Sequence, residues 1–240
     1  MCTKHEMTAL DRRSALKFAA AGVLALGVAA KAAPVRAAGG ATTTLTPDQA
    51  LAALKEGNAT YVSDPEQCTA NLSARRAEVA GHQAPWASII SCADSRVPPE
   101  LIFGGLGLGE LFVARNAGNL VDTGTLGTIE YGAAVLGSPL IVVLAHTSCG
   151  AVAAACDVVA KNATFPGSIG PMIDPILPAA LAVRDAAGDF VKNAASESAR
   201  RTAGRIVEAS PLIGGMVAKG KVKIVSALYD LGSGTVTFAA

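Results

Sequence analysis

An α/β protein, with a mostly parallel central β-sheet flanked by helices, is what this 240-residue sequence predicts. Several apolar runs, above all Pro139–Ala145 (PLIVVLA), are continuous rather than alternating, the pattern of strands buried on both faces. Segments with apolar residues at helical spacing separate them, as successive β-α units require. Aromatic residues make up only 4% of the chain, while Ala, Gly and Val abound, so helices can lie close against the sheet.

The N-terminus reads as outside this fold. Arg12-Arg13 precede a short apolar run, Phe18 to Ala30, closed by Lys31. The run is too short to span a bilayer. Small residues around Val35-Arg36-Ala37-Ala38 suit a signal peptidase, so residues 1–37 are expected to be a signal peptide. The paired arginines point to twin-arginine export, hence a periplasmic protein with no stable membrane insertion after cleavage. An uncleaved anchor is the alternative. Residues 38–45 read as a linker and 46–240 as a single domain. Loss of 1–37 leaves 14 of the 20 basic and 17 of the 19 acidic side chains, no footprint for nucleic acid.

Thr46-Pro47-Asp48-Gln49 has Thr at a helix cap, Pro in the first turn and Gln three on, and predicts a helix to about Tyr61. A second helix is expected over 71–82. Trp86–Ala93, short, apolar and bounded by Pro, predicts a strand, and Pro98-Pro99-Glu100 opens a short helix toward Phe103. A strand over Leu111–Ala114, a helix over Asp122–Leu136 and the PLIVVLA strand follow. An Ala-rich helix runs Gly150–Lys161, with further helices at Pro175–Ala187 and Val191–Ala209. Strands at Lys221–Leu228 and Thr235–Phe238 flank the turn-rich Asp230–Gly234.

Chemistry concentrates at two strand ends. Ser91-Cys92-Ala93-Asp94-Ser95-Arg96 follows one apolar run, and His146-Thr147-Ser148-Cys149-Gly150 follows another. If those strands are neighbours, Cys92, His146 and Cys149 converge at the carboxyl edge of the sheet, where α/β proteins bind ligands. Two thiolates and an imidazole with one open position are the donor set of a catalytic zinc. A Cys92–Cys149 disulfide, or coincidence, remains open on spacing alone. Asp94 can accept a hydrogen bond from water on a metal, and Arg96 can hold that carboxylate ionised. A surface ion pair capping the next helix is the plainer reading of the two. Cys156 reads as a buried apolar filler and Cys68 as a surface thiol, with a bridge between them the alternative. His82 reads as a partly exposed helix-end residue.

CADSRVPPELIF, ELFVARNAGNLV, Ile129-Glu130-Tyr131, HTSCGAV and Ala227-Leu228-Tyr229-Asp230-Leu231 resemble, in order and separation, the β-class carbonic anhydrases. The resemblance covers roughly residues 47–240. It implies one Zn2+ per subunit held by Cys92, His146 and Cys149, with Asp94 and Arg96 as the catalytic dyad. Asp94 becomes a fourth ligand in a closed state if Arg96 releases it. It also implies reversible hydration of CO2 to bicarbonate and a proton by hydroxide generated at the ion. Gln83, Phe112, Ala117, Tyr131 and Gly150 match positions around the substrate. Part of that pocket comes from a second subunit in the family, so a homodimer or dimer-based oligomer is implied.

Two departures stand out. Ala145 precedes His146 where the family usually has Gly. One branch builds a bicarbonate side site from a Trp, an Arg and a Tyr; Arg115 and Tyr229 match two of these, but Ile89 stands where the Trp would be and Trp86 lies elsewhere. That side site is therefore expected to be lost. Two other functions fit the same scaffold: hydrolysis of carbon disulfide or carbonyl sulfide, and non-catalytic zinc or bicarbonate binding. The second predicts a broken dyad, whereas Asp94, Arg96 and Gln83 are all present.

Overall fold

The apolar runs do become adjacent strands. A computed structural model describes residues 42–64, 66 and 72–239. The expected signal peptide, the first half of the linker and Cys68 lie outside the described residues. Strands β1 (Ala87–Cys92), β2 (Leu111–Asn116), β3 (Leu140–His146), β4 (Lys223–Tyr229) and β5 (Val236–Phe238) form one sheet in the order β2-β1-β3-β4-β5. All pairs are parallel except β4 with β5, which form an antiparallel hairpin. β1 and β3 are buried along their whole length.

Each face of the sheet has its own core. On one, Ile90, Ile141 and Val143 pack with Ala194, Ala195 and Ala199. These alanines belong to α8 (Phe190–Ala209), and all three are at most 1% exposed, so the small side chains do bring helix and sheet close. On the other, Ile89, Leu140, Val142 and Leu144 meet Ala50 and Leu54 of α1 (Pro47–Ser63) and Ile102 of α3 (Pro99–Ile102). Between α1 and β1 lies α2 (Leu72–Val79); α4 (Thr123–Ala134) joins β2 to β3. The predicted capping box opens α1: Gln49 N–H donates to Thr46 Oγ1 and Thr46 N–H to Gln49 Oε1. Asn58 of α1 donates to the carbonyls of Ile102 and Gly234 and accepts from Val236 N–H, fastening this helix to the β4–β5 hairpin.

Beyond β3 come α5 (Gly150–Lys161), α6 (Ile169–Ile173), a 3₁₀ turn at Asp174–Ile176, and α7 (Leu177–Val183). The single helix expected over Pro175–Ala187 is thus broken and shorter. Pro178 has no N–H to continue a helix begun at Pro175, so the chain restarts with Pro178 in the first turn of α7. A helix not anticipated from sequence, α9 (Pro211–Ala218), follows α8. Ser210 caps it, accepting from Ile213 N–H while donating to Glu130 of α4. Among the described residues no helix is long and apolar enough to cross a membrane.

Candidate metal centre and active site

The strand order places the site. From β1 the chain passes outward to β2, and from β3 it passes the other way to β4, so the carboxyl ends of β1 and β3 border a crevice. Cys92 is the last residue of β1 and His146 the last of β3. Three residues beyond His146, Cys149 caps the N-terminus of α5. The Cys92, His146 and Cys149 donor atoms all lie within 4.8 Å of one another. All three residues are buried, His146 completely.

The donor chemistry suits a divalent cation. Cys92 Sγ and Cys149 Sγ are 3.9 Å apart and not bonded to each other. Two sulfurs on one tetrahedral zinc are about 3.8 Å apart, given Zn–S near 2.3 Å. His146 Nδ1 is 2.9 Å from the carbonyl of Thr147. A carbonyl only accepts, so Nδ1 carries the proton and Nε2 presents a lone pair. Nε2 is buried with no hydrogen-bond partner, a costly arrangement that a metal ion relieves. Cys92 is held below the usual thiol range, chiefly by the hydrogen bond from Cys149. Cys149 is pushed above that range by Cys92 and by burial, while the first N–H groups of α5, at Val152 and Ala151, oppose the rise. Two buried sulfurs this close do not ionise together unless a cation shares them.

Asp94 and Arg96 form a closed pair beside the cluster. Asp94 Oδ1 accepts from the backbone N–H and Nε of Arg96, both at 2.9 Å, and Oδ2 accepts from its terminal nitrogen at 2.7 Å. This holds the Asp94 carboxyl well below the ordinary carboxylate range, the side-chain hydrogen bonds of Arg96 being the main cause. Asp94 Oδ2 lies 3.9 Å from His146 Nε2, so its open side faces the donor cluster. The carboxylate is engaged by Arg96 in this arrangement and is not one of the clustered donors.

Three supports were not read from the sequence. Gly118 N–H points at Cys92 Sγ, 3.4 Å away. Gly118 has φ +85°, a conformation that favours glycine, and a methyl there would push Ile176 Cδ1, 2.8 Å away, aside. Asn116 pins that loop by accepting from Leu120 N–H and donating to its carbonyl. Arg115 donates to the carbonyls of Cys92 and Asp94, fixing the backbone that carries both. The polar pair Arg115-Asn116 closing the apolar run Leu111–Ala114 was the available signal.

The remaining expected site residues are spread along the sheet. Ala117 adjoins Gly118, beside Cys92. Gly150 starts α5 and is exposed, with open space where a methyl would stand. Phe112 stacks on Tyr131 of α4, ring centroids 6.1 Å apart. But Phe112 pairs with Ser88, four residues before Cys92 and thus about 13 Å back along β1. Gln83 is exposed in the loop ahead of β1. A single chain therefore does not bring the aromatic pair to its own donor cluster. Cys156 is a free thiol buried in the core, as the plainer reading had it, and burial pushes it up to about 11. His82 is exposed just after α2.

A parallel α/β sheet bearing a buried Cys-His-Cys cluster with an ion-paired carboxylate beside it defines a metalloenzyme-like class of protein. The family model of the carbonic anhydrases matches residues 87–236. Carbonic anhydrase 2 of Mycobacterium tuberculosis is 39% identical over 189 residues, covering 78% of this chain and 90% of that protein. The carbonic anhydrase of Mycolicibacterium smegmatis is 36% identical over 190 residues, covering 79% and 92%. Among solved structures, a tetrameric β-carbonic anhydrase of Sordaria macrospora superposes with a TM-score of 0.62 at 27% identity, over 68% of this chain and 85% of that one. The Coccomyxa β-carbonic anhydrase in complex with acetazolamide gives 0.60 at 25% identity, over 81% and 86%. This chain belongs to the carbonic anhydrase family, in its β class.

Proposed function

We propose that the protein interconverts carbon dioxide with bicarbonate and a proton, using one Zn2+ per chain held by Cys92, His146 and Cys149. The observation that carries this is the buried, unpartnered Nε2 of His146 facing two unbonded sulfurs. When bound, zinc supplies the Lewis acidity that makes water a nucleophile near neutral pH. The chain's own residues do the rest. Asp94, kept ionised by Arg96, offers Oδ2 as an acceptor that orients the attacking water and takes part in removing its proton. Gly150, with no side chain in its way, leaves its N–H open at the N-terminus of α5, where negative charge is favoured. The intact pairing of Asp94 with Arg96 argues against a module that only binds.

The spread of the pocket residues supports a homodimer. β2 is an edge of the sheet, and Leu111, Phe112 and Val113 on it are half-buried. A homodimer that covers this edge would let Phe112, Tyr131 and Gln83 of one copy serve the other's donor cluster. Sedimentation giving a monomer with full activity would refute that. For the N-terminus, the proposal is twin-arginine export of the folded protein to the periplasm, with the two sulfurs already protected by zinc. Replacing Arg12 and Arg13 together by Lys should keep the protein cytoplasmic, and unchanged export would dismiss the idea.

The function is tested by metal analysis with stopped-flow CO2 hydration. One zinc per chain is expected, with activity lost on removal by a chelator and regained on adding zinc. A protein that contains no zinc, or hydrates CO2 no faster when loaded, refutes the reading.

A further inference from the structure

We propose that Thr147 is a positioning residue for the metal centre, clamping the imidazole of His146 to the β4–β5 turn. All three of its polar groups are committed. Its N–H donates to the carbonyl of Tyr229 at 2.9 Å, extending the β3–β4 ladder one step beyond His146. Its hydroxyl accepts from Leu231 N–H at 3.0 Å. Its carbonyl accepts from His146 Nδ1. The first two bonds fix the peptide whose carbonyl sets the tautomer and tilt of the ring.

The clamp matters because the next residue is strained. Ser148, between Thr147 and Cys149, has φ +55°, a left-handed conformation uncommon for a residue with a side chain. Relaxing it rotates the Thr147–Ser148 peptide and carries the carbonyl away from Nδ1. The anchor on the far side is itself stiff. Asp230 Oδ1 accepts from the N–H groups of Gly232 and Ser233 and from the Ser233 hydroxyl. Asn58 of α1 holds Gly234 and Val236 of the same hairpin. Orientation therefore passes from α1 through the hairpin and Thr147 to the metal-facing ring, with Thr147 touching neither substrate nor ion.

This inference rests on the metal-centre reading, and the experiment separates the two. The zinc dissociation constant is measured by competition with a chromophoric chelator, and the ligand field is read from the visible spectrum of the cobalt(II)-substituted protein. Thr147→Val keeps the shape and removes the hydroxyl. The carbonyl that partners His146 stays but loses its anchor, so zinc should weaken by up to about 10-fold, the lower end of the cost of losing an outer partner outright, and the cobalt spectrum should change. Thr147→Ser should restore both. Asp230→Ala, outside the metal turn, should weaken zinc in the same direction by loosening the anchor, and it serves if Thr147→Val does not fold. Zinc affinity unchanged in Thr147→Val or Asp230→Ala, or as weak in Thr147→Ser as in Thr147→Val, overturns the clamp. An unmodified protein that takes up no zinc instead overturns the metal-centre reading.

Discussion

Replacing Asp94 by Asn tests the dyad with the least disturbance. The amide has the carboxylate's shape, so its effect lies in hydrogen bonding and charge. Oδ1 accepts two bonds from Arg96 and Oδ2 accepts one, with Oδ2 also facing the donor cluster. An amide has one acceptor, and it settles where two donors wait, in the place of Oδ1. The NH2 group then occupies the place of Oδ2, pointing a donor at the Arg96 terminal nitrogen and at the crevice. The acceptor for the attacking water is gone, and so is the negative charge. A positioned acid–base group contributes about 10²–10⁴-fold, so kcat should fall by that factor, roughly 3–5 kcal/mol of barrier. Zinc content should stay at one per chain, because none of the three donors is altered. Stability should change little, since Arg96 is bathed in water and its pair is screened. Stopped-flow CO2 hydration on protein of measured zinc content is the assay. Full turnover in Asp94→Asn would refute the role of this carboxylate, as would a loss that merely tracks missing zinc.

Other expectations concern stability and regulation. Asn58→Ala leaves Val236 N–H and the carbonyls of Ile102 and Gly234 without their partner in a largely buried place, and should cost about 2–4 kcal/mol in urea unfolding; a change near zero would show that water replaces all three bonds. Asp122, Glu197 and Asp230 all have depressed pKa values, each from hydrogen bonds that favour the charged form. Their contribution is full above the unfolded carboxylate range near 4 and is lost as pH falls through the lower folded values, so the urea midpoint should drop below about pH 4. Glu197→Gln, which releases Arg200 and Arg201, should flatten part of that drop, and an identical profile would remove this glutamate from the account. Bicarbonate should not inhibit cooperatively at low pH. Arg115 is spent on the carbonyls of Cys92 and Asp94, the hydroxyl of Tyr229 faces that of Tyr61 at 3.4 Å, and Ile89 is wholly buried in the same apolar cluster as Tyr229. Sigmoidal inhibition by bicarbonate would contradict this.

What the sequence made legible and what it hid divide along physical lines. Continuous apolar runs announced β1 and β3, and the Thr46-Gln49 box announced α1, because burial and capping act on residues close in the chain. α9 was not legible. Two glycines in PLIGGMVA mask its helical preference, and only the Ser-Pro pair at its start signalled it. The three sulfur and nitrogen donors were legible as types, and the structure supplied what spacing could not, that β1 and β3 are neighbours with their ends level.

Distances across the sheet were beyond sequence reading altogether. Phe112 and Tyr131 carry the right side chains, yet strand register sets Phe112 about 13 Å back from Cys92, and Tyr131 stacks on it. That separation is a consequence of strand length, since β1 and β2 pair from Ala87 with Leu111 through Cys92 with Asn116. The same register puts Arg115 and Asn116 at the metal end and the aromatic residue at the opposite end of one six-residue strand. A substrate pocket for a small apolar gas needs both an apolar wall and the metal-facing donors. One chain holds the two parts at opposite ends of β2, and in the homodimer proposed above the apolar wall of one copy would meet the metal end of the other.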